Sequence, residues 1–310
     1  MTLWRACLSK TVPLAIGLGL LPILAACTHS RANTTHTHKA EVVTPAPLNY
    51  QVISYRGTAV SVLTIPPGAT YAVRPVVADT VDTVAAMAQR NGAIAAINAG
   101  FFDPNNQKTT SYVTIQRELV ADPRQNERLV NNPSLTAYLP QILNRSELRR
   151  YRCGEANQYA ITLHQAPVPD HCQLIDAIGG GPQLLPALTA EQEAFTQAIK
   201  GEIVRDALGL QQRNARTAVG VTPTGQMIWV MVPHRVDQPT SGLSLPDLAA
   251  LLQQQGAYQA INLDGGSSSV LYYRGQTIAG KLDAAGRSLN RPVKSILLVR
   301  QGYPPKAGQN

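Results

Sequence analysis

The sequence predicts an α+β protein, with helices packed on a largely antiparallel or mixed sheet and an internal helix–strand duplication. Three observations carry that reading: many short runs rich in Val, Ile and Tyr punctuated by Pro and Gly, one clear hairpin, and a helix-then-strand pattern that occurs twice.

Strand-like runs open the globular part at 50–55, 59–65 and 71–78, with Pro66-Pro67-Gly68 as a break. A helix is expected over 81–90, where Val81, Val84, Ala85 and Ala88 share a face and Asn91-Gly92 ends it. A buried strand, 93–98, then leads into Ala99-Gly100-Phe101-Phe102-Asp103. Residues 111–115 read as a strand, and 133–143 are ambiguous between helix and strand. A helix is expected over 189–199, with Thr189 as N-cap and Gln192 completing a capping box. The hairpin is 217–222, a Pro223-Thr224-Gly225 turn, and 226–232. Leu245, Leu248, Ala249 and Leu252 set a further helix, capped by Ser244 and ended by Gly256, before a strand at 257–262. A last strand spans 293–300.

The duplication rests on an offset of 164, at which residues 85–98 and 249–262 agree at eight of fourteen positions. Four of those are alanine and count for little. Gln89 with Gln253, Gly92 with Gly256, Ile97 with Ile261 and Asn98 with Asn262 carry the match. Duplication would bring two equivalent strand ends, at Asn98 and Asn262, to one site.

The N-terminus reads as an export signal, 1–26: Arg5 and Lys10, an apolar run from Val12 to Ala26 interrupted by Pro and Gly, then Leu24-Ala25-Ala26-Cys27. That last tetrapeptide resembles the lipobox of bacterial lipoproteins. The resemblance implies cleavage before Cys27, its lipidation, and a membrane anchor in a bacterial envelope. In a diderm host, Thr28 after the cysteine would favour the outer membrane, facing the periplasm or the cell surface. Residues 27–48 read as a flexible tether, 49–303 as one domain, and 304–310 as a tail. Of four cysteines, Cys7 leaves with the signal and Cys27 takes lipid, so Cys153 and Cys172 are expected to form a disulfide in an oxidising compartment.

Loss of the signal leaves 25 basic against 19 acidic residues, a net of +6. Apart from Arg145, Arg149, Arg150 and Arg152 the basic residues are scattered, which argues against a nucleic-acid partner and fits an anionic substrate or envelope polymer.

Three glycine clusters stand at strand ends: Gly179-Gly180-Gly181, Gly265-Gly266-Ser267 and Gly100. Runs of glycine let backbone N–H groups approach an anion, or simply make turns. No nucleotide-binding glycine motif and no serine-hydrolase elbow is present. Arg216 and Arg291 are candidate phosphate ligands through their forked guanidinium groups. Asp264 is read as an acid/base, a nucleophile, a calcium ligand, or a residue that sets a turn, with Asp103 and Asp176 as second carboxylates. Asn98 and Asn262 are read as sugar ligands or turn caps, and His164 and His234 as satisfied structural histidines. No cofactor is expected, calcium at Asp264 being the metal left open.

In order, Ile97–Phe102, Gly179–Leu185, Arg216–Val221, Gly242–Leu245, Ala260–Ser268 and Arg291-Pro292-Val293 resemble the phosphodiester glycosidase family over about 200 residues. The most specific part is Asn262-Leu263-Asp264-Gly265-Gly266. The resemblance implies hydrolysis of a sugar-1-phosphate diester, with an envelope glycan or phosphoglycan as substrate. Ser267 stands where the family usually has a third glycine, and Val232-Pro233-His234 where it has an Asp-Gly-like dipeptide. Lys108–Tyr112 replaces a glycine-bearing segment. A non-catalytic glycan-binding protein using the same cleft is the alternative.

Overall fold

Strands dominate: twenty strands stand against four short α-helices among the described residues of the computed structural model, 46–68 and 70–302. All of them lie in the unit Pro45–Asn310. The export signal, Cys27, the tail and most of the tether lie outside the described residues. Leu48, expected in the tether, is buried in the core, so the ordered domain begins slightly earlier.

The strands form three main sheets. In the first the order is Asn49–Tyr55, Thr58–Ile65, Met227–Val232, Arg216–Val221, Gln259–Asn262, Gln183–Leu185. In the second it is Gln276–Ala279, Val270–Tyr273, Ala95–Asn98, Val293–Gln301, Tyr71–Asp82. In the third it is Glu118–Ala121, Val113–Ile115, Cys172–Gly179, Ser146–Cys153, Ala156–Leu163. All pairs within these sheets are antiparallel.

Alternation along the strands sends neighbouring residues into different cores. Ile97, Leu271 and Leu297 of the second sheet meet Leu63, Trp229, Val219 and Ile261 of the first in a central cluster, joined by Leu148, Ile161 and Ile178 of the third. On the outer face of the first sheet, helix Leu245–Gln254 buries Leu248, Leu251 and Leu252 against Ala218, Val230 and Ala260. Helix Val84–Arg90 does the same for the second sheet with Met87 and Ala88 against Ala96, Ile296 and Leu298. The layers are therefore helix, sheet, sheet, helix, with the third sheet contributing to the central core. The expected α+β class is corrected toward β: the helices cover the sheets but are few and short.

The two helix–strand units share their local geometry. Each helix is capped by a hydroxyl, Thr83 or Ser244, that accepts from the N–H three residues on. Each ends with the same bonds, Gly92 N to Gln89 O with Ala93 N to Ala88 O, and Gly256 N to Gln253 O with Ala257 N to Leu252 O. The following strands hold one register against their neighbours: Asn98 faces Ile296 and Ala95 faces Val299, as Asn262 faces Ala218 and Gln259 faces Val221.

Two expectations fail. Residues 189–199 are not a helix but a turn leading into strand Thr196–Ile199. The buried Glu193 carboxylate accepts from Ser146 N at 2.8 Å, Ser146 Oγ at 2.7 Å and Gln183 N at 2.9 Å, and from Thr189 Oγ1. Those tertiary bonds override the local capping signal. Helix 81–90 begins only at Val84, because Val81 and Asp82 continue the preceding strand. Cys153 and Cys172 do form a disulfide, as directly facing partners on adjacent strands.

Candidate active site

The strand Gln259–Asn262 delivers Leu263-Asp264 to the place where the first and second sheets meet. Leu263 N donates to Thr217 O and Asp264 N to Ala99 O, so one backbone step crosses from one sheet to the other. The buried Asn98 side chain locks this crossing: Nδ2 donates to Asp264 O at 2.5 Å, while Oδ1 accepts from Thr217 Oγ1 at 2.7 Å and Val270 N at 3.1 Å. Asn98 has no polar capacity left for a sugar except its second N–H. Its bonds hold Asp264 in place.

Asp264 is nearly buried. Its Oδ1 accepts from Gly265 N at 2.9 Å, and its Oδ2 lies 3.4 Å from Arg291 Nη2. Burial pushes the carboxyl above the usual carboxylate range, opposed by the Ser268 hydroxyl and the Arg291 charge. Arg291 reaches it from the segment before the last strand, its backbone N–H held by Ser267 O and its Nε donating to Ser268 Oγ at 2.9 Å. Its guanidinium rests over the Phe102 ring at 4.8 Å. A guanidinium has five N–H donors; two are used on Ser268 and Asp264, leaving three without a partner among the described residues, on a side chain 34% exposed.

The other proposed phosphate ligands do not join this pair. Arg216 is buried and donates to four backbone carbonyls: Leu243 at 3.1 Å, Leu208 at 3.0 Å, Gly209 at 2.8 Å and Gln212 at 2.9 Å. Burial lowers its pKa to about 10, and four of its five donors tie the 208–212 segment to Leu243. The amides of Gly179, Gly180 and Gly181 donate to Tyr112 O, Ser146 O and Asn262 O, so none is free to cradle an anion. Glycine is needed there for close approach: a Cβ on Gly180 would sit 2.7 Å from Asn262 O, and Gly181, at φ 114°, faces Glu193 and Phe195. Gly265 and Gly266 likewise commit their amides, to Asp264 Oδ1 and Ala215 O. The Ser267 side chain, half-buried, keeps no protein bond among the described residues.

Asn262 is buried and donates to Gly181 O at 2.8 Å, but its Oδ1 has no partner among the described residues. Asp103 pairs with Arg128 at 2.7 Å, and Asp176 with Arg150 in the third sheet, while the charged group that bears on Asp264 is Arg291. His164 is paired with Glu147 at 3.0 Å and stacked on Tyr112. His234 departs from its expected role: its buried Nδ1 has no partner among the described residues, and burial, with Lys281 and Arg213 nearby, lowers its pKa. No group of three or more His, Cys, Asp or Glu able to hold a metal occurs among the described residues. The residues that sequence reasoning missed are Ser268, which links Arg291 to Asp264, and Asn290, whose Nδ2 donates to Ser267 O and Ser269 O. Their signal was adjacency, Ser268 within the Gly-Gly-Ser-Ser run and Asn290 beside Arg291.

A carboxylate at a strand end, raised by burial and bridged to a partly free arginine, defines a class of site able to handle an anionic, hydroxyl-rich substrate. Residues 91–300 match the phosphodiester glycosidase family, and the chain belongs to it. Two solved structures share the fold. The catalytic domain of zebrafish N-acetylglucosamine-1-phosphodiester alpha-N-acetylglucosaminidase, auto-inhibited by its pro-peptide, matches with a TM-score of 0.60 at 16% identity, covering 84% of this chain and 85% of that one. A hypothetical protein from Synechocystis matches with a TM-score of 0.53 at 21% identity over 81% of this chain, which spans 61% of that protein's length. No curated protein sequence matches the chain.

Proposed function

We propose that this protein hydrolyses a sugar-1-phosphate diester, breaking the bond between sugar C1 and the bridging oxygen to give the free sugar and a phosphate monoester. The observation that carries this is the Asp264–Arg291 pair, a buried carboxylate touching a guanidinium that retains three free donors. The free N–H groups of Arg291 suit the phosphate oxygens in a forked, charge-assisted geometry. As the phosphate departs with the bonding electrons, C1 becomes oxocarbenium-like. An ionised Asp264 stabilises it or takes a proton from the attacking water. A phosphate leaving group is already weakly basic, which fits Arg291 being the charged group that bears on Asp264 among the described residues. The Asn262 Oδ1 suits a sugar hydroxyl, since a buried acceptor without a donor is costly until something donates to it. An envelope glycan or phosphoglycan is the substrate class that accords with the family and with the net positive charge.

Turnover of a chromogenic sugar-1-phosphodiester tests the reading. Asp264→Asn should lower it by about a hundredfold or more with the fold intact. A folded variant with near-normal turnover would return Asp264 to a turn-setting role. A wild-type protein that binds the sugar phosphate without turning it over would favour the glycan-binding alternative, which Pro233-His234 in place of the family dipeptide supports.

We further infer that a lipid on Cys27 holds the protein in the bacterial envelope, on the strength of Leu24-Ala25-Ala26-Cys27. Cys27→Ser should release it from membranes, and continued membrane fractionation would refute the anchor. The two helix–strand units are read as a duplication, supported by their shared register and helix endings.

A further inference from the structure

A concavity of about 940 Å³ lies apart from the Asp264 cluster and shares no residue with it. It forms where the edge strand Tyr71–Asp82 of the second sheet approaches the third sheet. Arg74 reaches it from that edge strand, Arg300 from the last strand, Arg117 from the turn before Glu118–Ala121, and Arg150 and Arg152 from Ser146–Cys153. Five arginines face one glutamate, Glu155, which lies 3.9 Å from Arg152 and is fully exposed.

The groove is built rather than incidental. Asp176, buried and outside the groove wall, accepts from the wall residue Arg150 at 2.8 Å from Nε and 2.5 Å from Nη2, fixing that guanidinium. The other oxygen of Asp176 accepts from Gln116 N at 2.9 Å, and Arg117 N donates to Ile175 O. Those two bonds hold a two-residue hairpin turn in which Gln116 and Arg117 both have positive φ, 51° and 75°. Residues with a Cβ avoid that region, so one buried carboxylate immobilises one arginine and steadies the strained turn that carries another. Arg74 and Arg300 are diagonal neighbours on paired strands, with Arg300 opposite Ala72 and Arg74 opposite Leu298. Among the described residues no carboxylate lies within ion-pair range of Arg74, Arg117 or Arg300. Like charges gathered without counter-charges repel one another, and a bound anion converts that repulsion into attraction.

We propose that this groove binds a linear polyanionic glycan-type polymer, with repeating phosphodiesters or carboxylates lying along Arg74, Arg117 and Arg300. Guanidinium forks match either anion, and a concave groove fits a chain better than a flat bilayer. The site holds a polymer near the protein independently of the Asp264 chemistry.

The test uses the whole mature protein with two probes, poly(glycerol phosphate) and polygalacturonate, titrated at several salt concentrations. Either polymer should bind, more weakly as salt rises, and the tighter of the two identifies phosphate or carboxylate as the natural charge. The triple variant Arg74→Gln, Arg117→Asn, Arg300→Gln should bind about tenfold more weakly or worse, with a shallower salt dependence. Asn tolerates the positive φ at 117, and an unchanged unfolding midpoint confirms the fold. Turnover of a small chromogenic sugar phosphodiester should be unchanged in this variant, while Asp264→Asn should keep polymer binding, so the two readings fail separately. The groove assignment is overturned if neither polymer binds, if the folded triple variant binds as the wild type does, or if anionic vesicles or a single-stranded oligonucleotide bind more tightly than both polymers.

Discussion

The strand ends at Asn98 and Asn262 occupy matching positions in two units with the same helix ending and the same strand register, yet their side chains do different work. Asn98 closes a junction, its amide and carbonyl oxygen meeting Asp264 O, Thr217 Oγ1 and Val270 N. Asn262 makes one bond, to Gly181 O, and leaves an acceptor unpaired. The residues beyond each strand end differ too: Ala99 N donates to Ser295 O and Gly100 N to Ser295 Oγ, whereas Leu263 leads to a carboxylate beside Arg291. Matching local geometry thus carries one end that stabilises and one that is available for chemistry. The two arginines divide the same way, Arg216 with four of its five donors on carbonyls and Arg291 with two of five in use among the described residues.

Substitutions can break or sharpen that division. The largest loss of stability should come from Arg216→Ala, about 4 kcal/mol, because four carbonyls lose a buried charged donor. Denaturant unfolding reads it directly, and a loss below about 1 kcal/mol would free Arg216 for a substrate role. Asn98→Ala should cost about 3 kcal/mol by the same measurement, one net contribution for each bond removed. Asn262→Ala should cost only about 1 kcal/mol, since it breaks one bond while removing an orphaned acceptor. An equal cost at the two asparagines would erase the contrast between them. Arg291→Ala should change stability least, by about 1 kcal/mol or less, because the 3.4 Å contact is long and the buried Asp264 carboxyl can take up a proton once its counter-charge is gone, while raising KM for a phosphate-bearing substrate.

Acidity offers a finer test. Because burial raises the Asp264 carboxyl, the folded protein holds that proton more tightly than the unfolded chain. The unfavourable contribution of this group is therefore absent in acid and develops as pH rises from the unfolded value of about 4 through the raised one. Asp264→Asn should leave the Tm at neutral pH unchanged or higher, with the difference closing in acid. In the wild type, turnover that needs the ionised carboxylate should fall on the acid side at a pH above the ordinary carboxylate range.

Much of this was legible along the chain, and the reasons are local. The hairpin around Pro223-Thr224-Gly225, the helix after Ser244 and the strands ending at Asn98 and Asn262 announce themselves through period, caps and turn residues. The strand Ser146–Cys153 did not, because Glu147 and Arg149 occupy buried positions as an ion pair at 2.6 Å where apolar residues would have shown the pattern. The helix expected at 189–199 was lost to Glu193, whose partners come from residues as distant as Ser146.

The sequence by itself determined the family motifs, the facing cysteines and the carboxylate on which a mechanism can be built, because these depend on residue type and short spacing. Only the tertiary structure decided which polar groups remain available. The glycine amides, Asn98 and Arg216 look as apt for phosphate or sugar as Arg291 does when read in a line. Most of their donors already meet partners within the fold, some from distant segments, as Gly180 N meets Ser146 O and Arg216 Nε meets Leu243 O, and a hydrogen bond already made to a buried carbonyl is not open to a ligand.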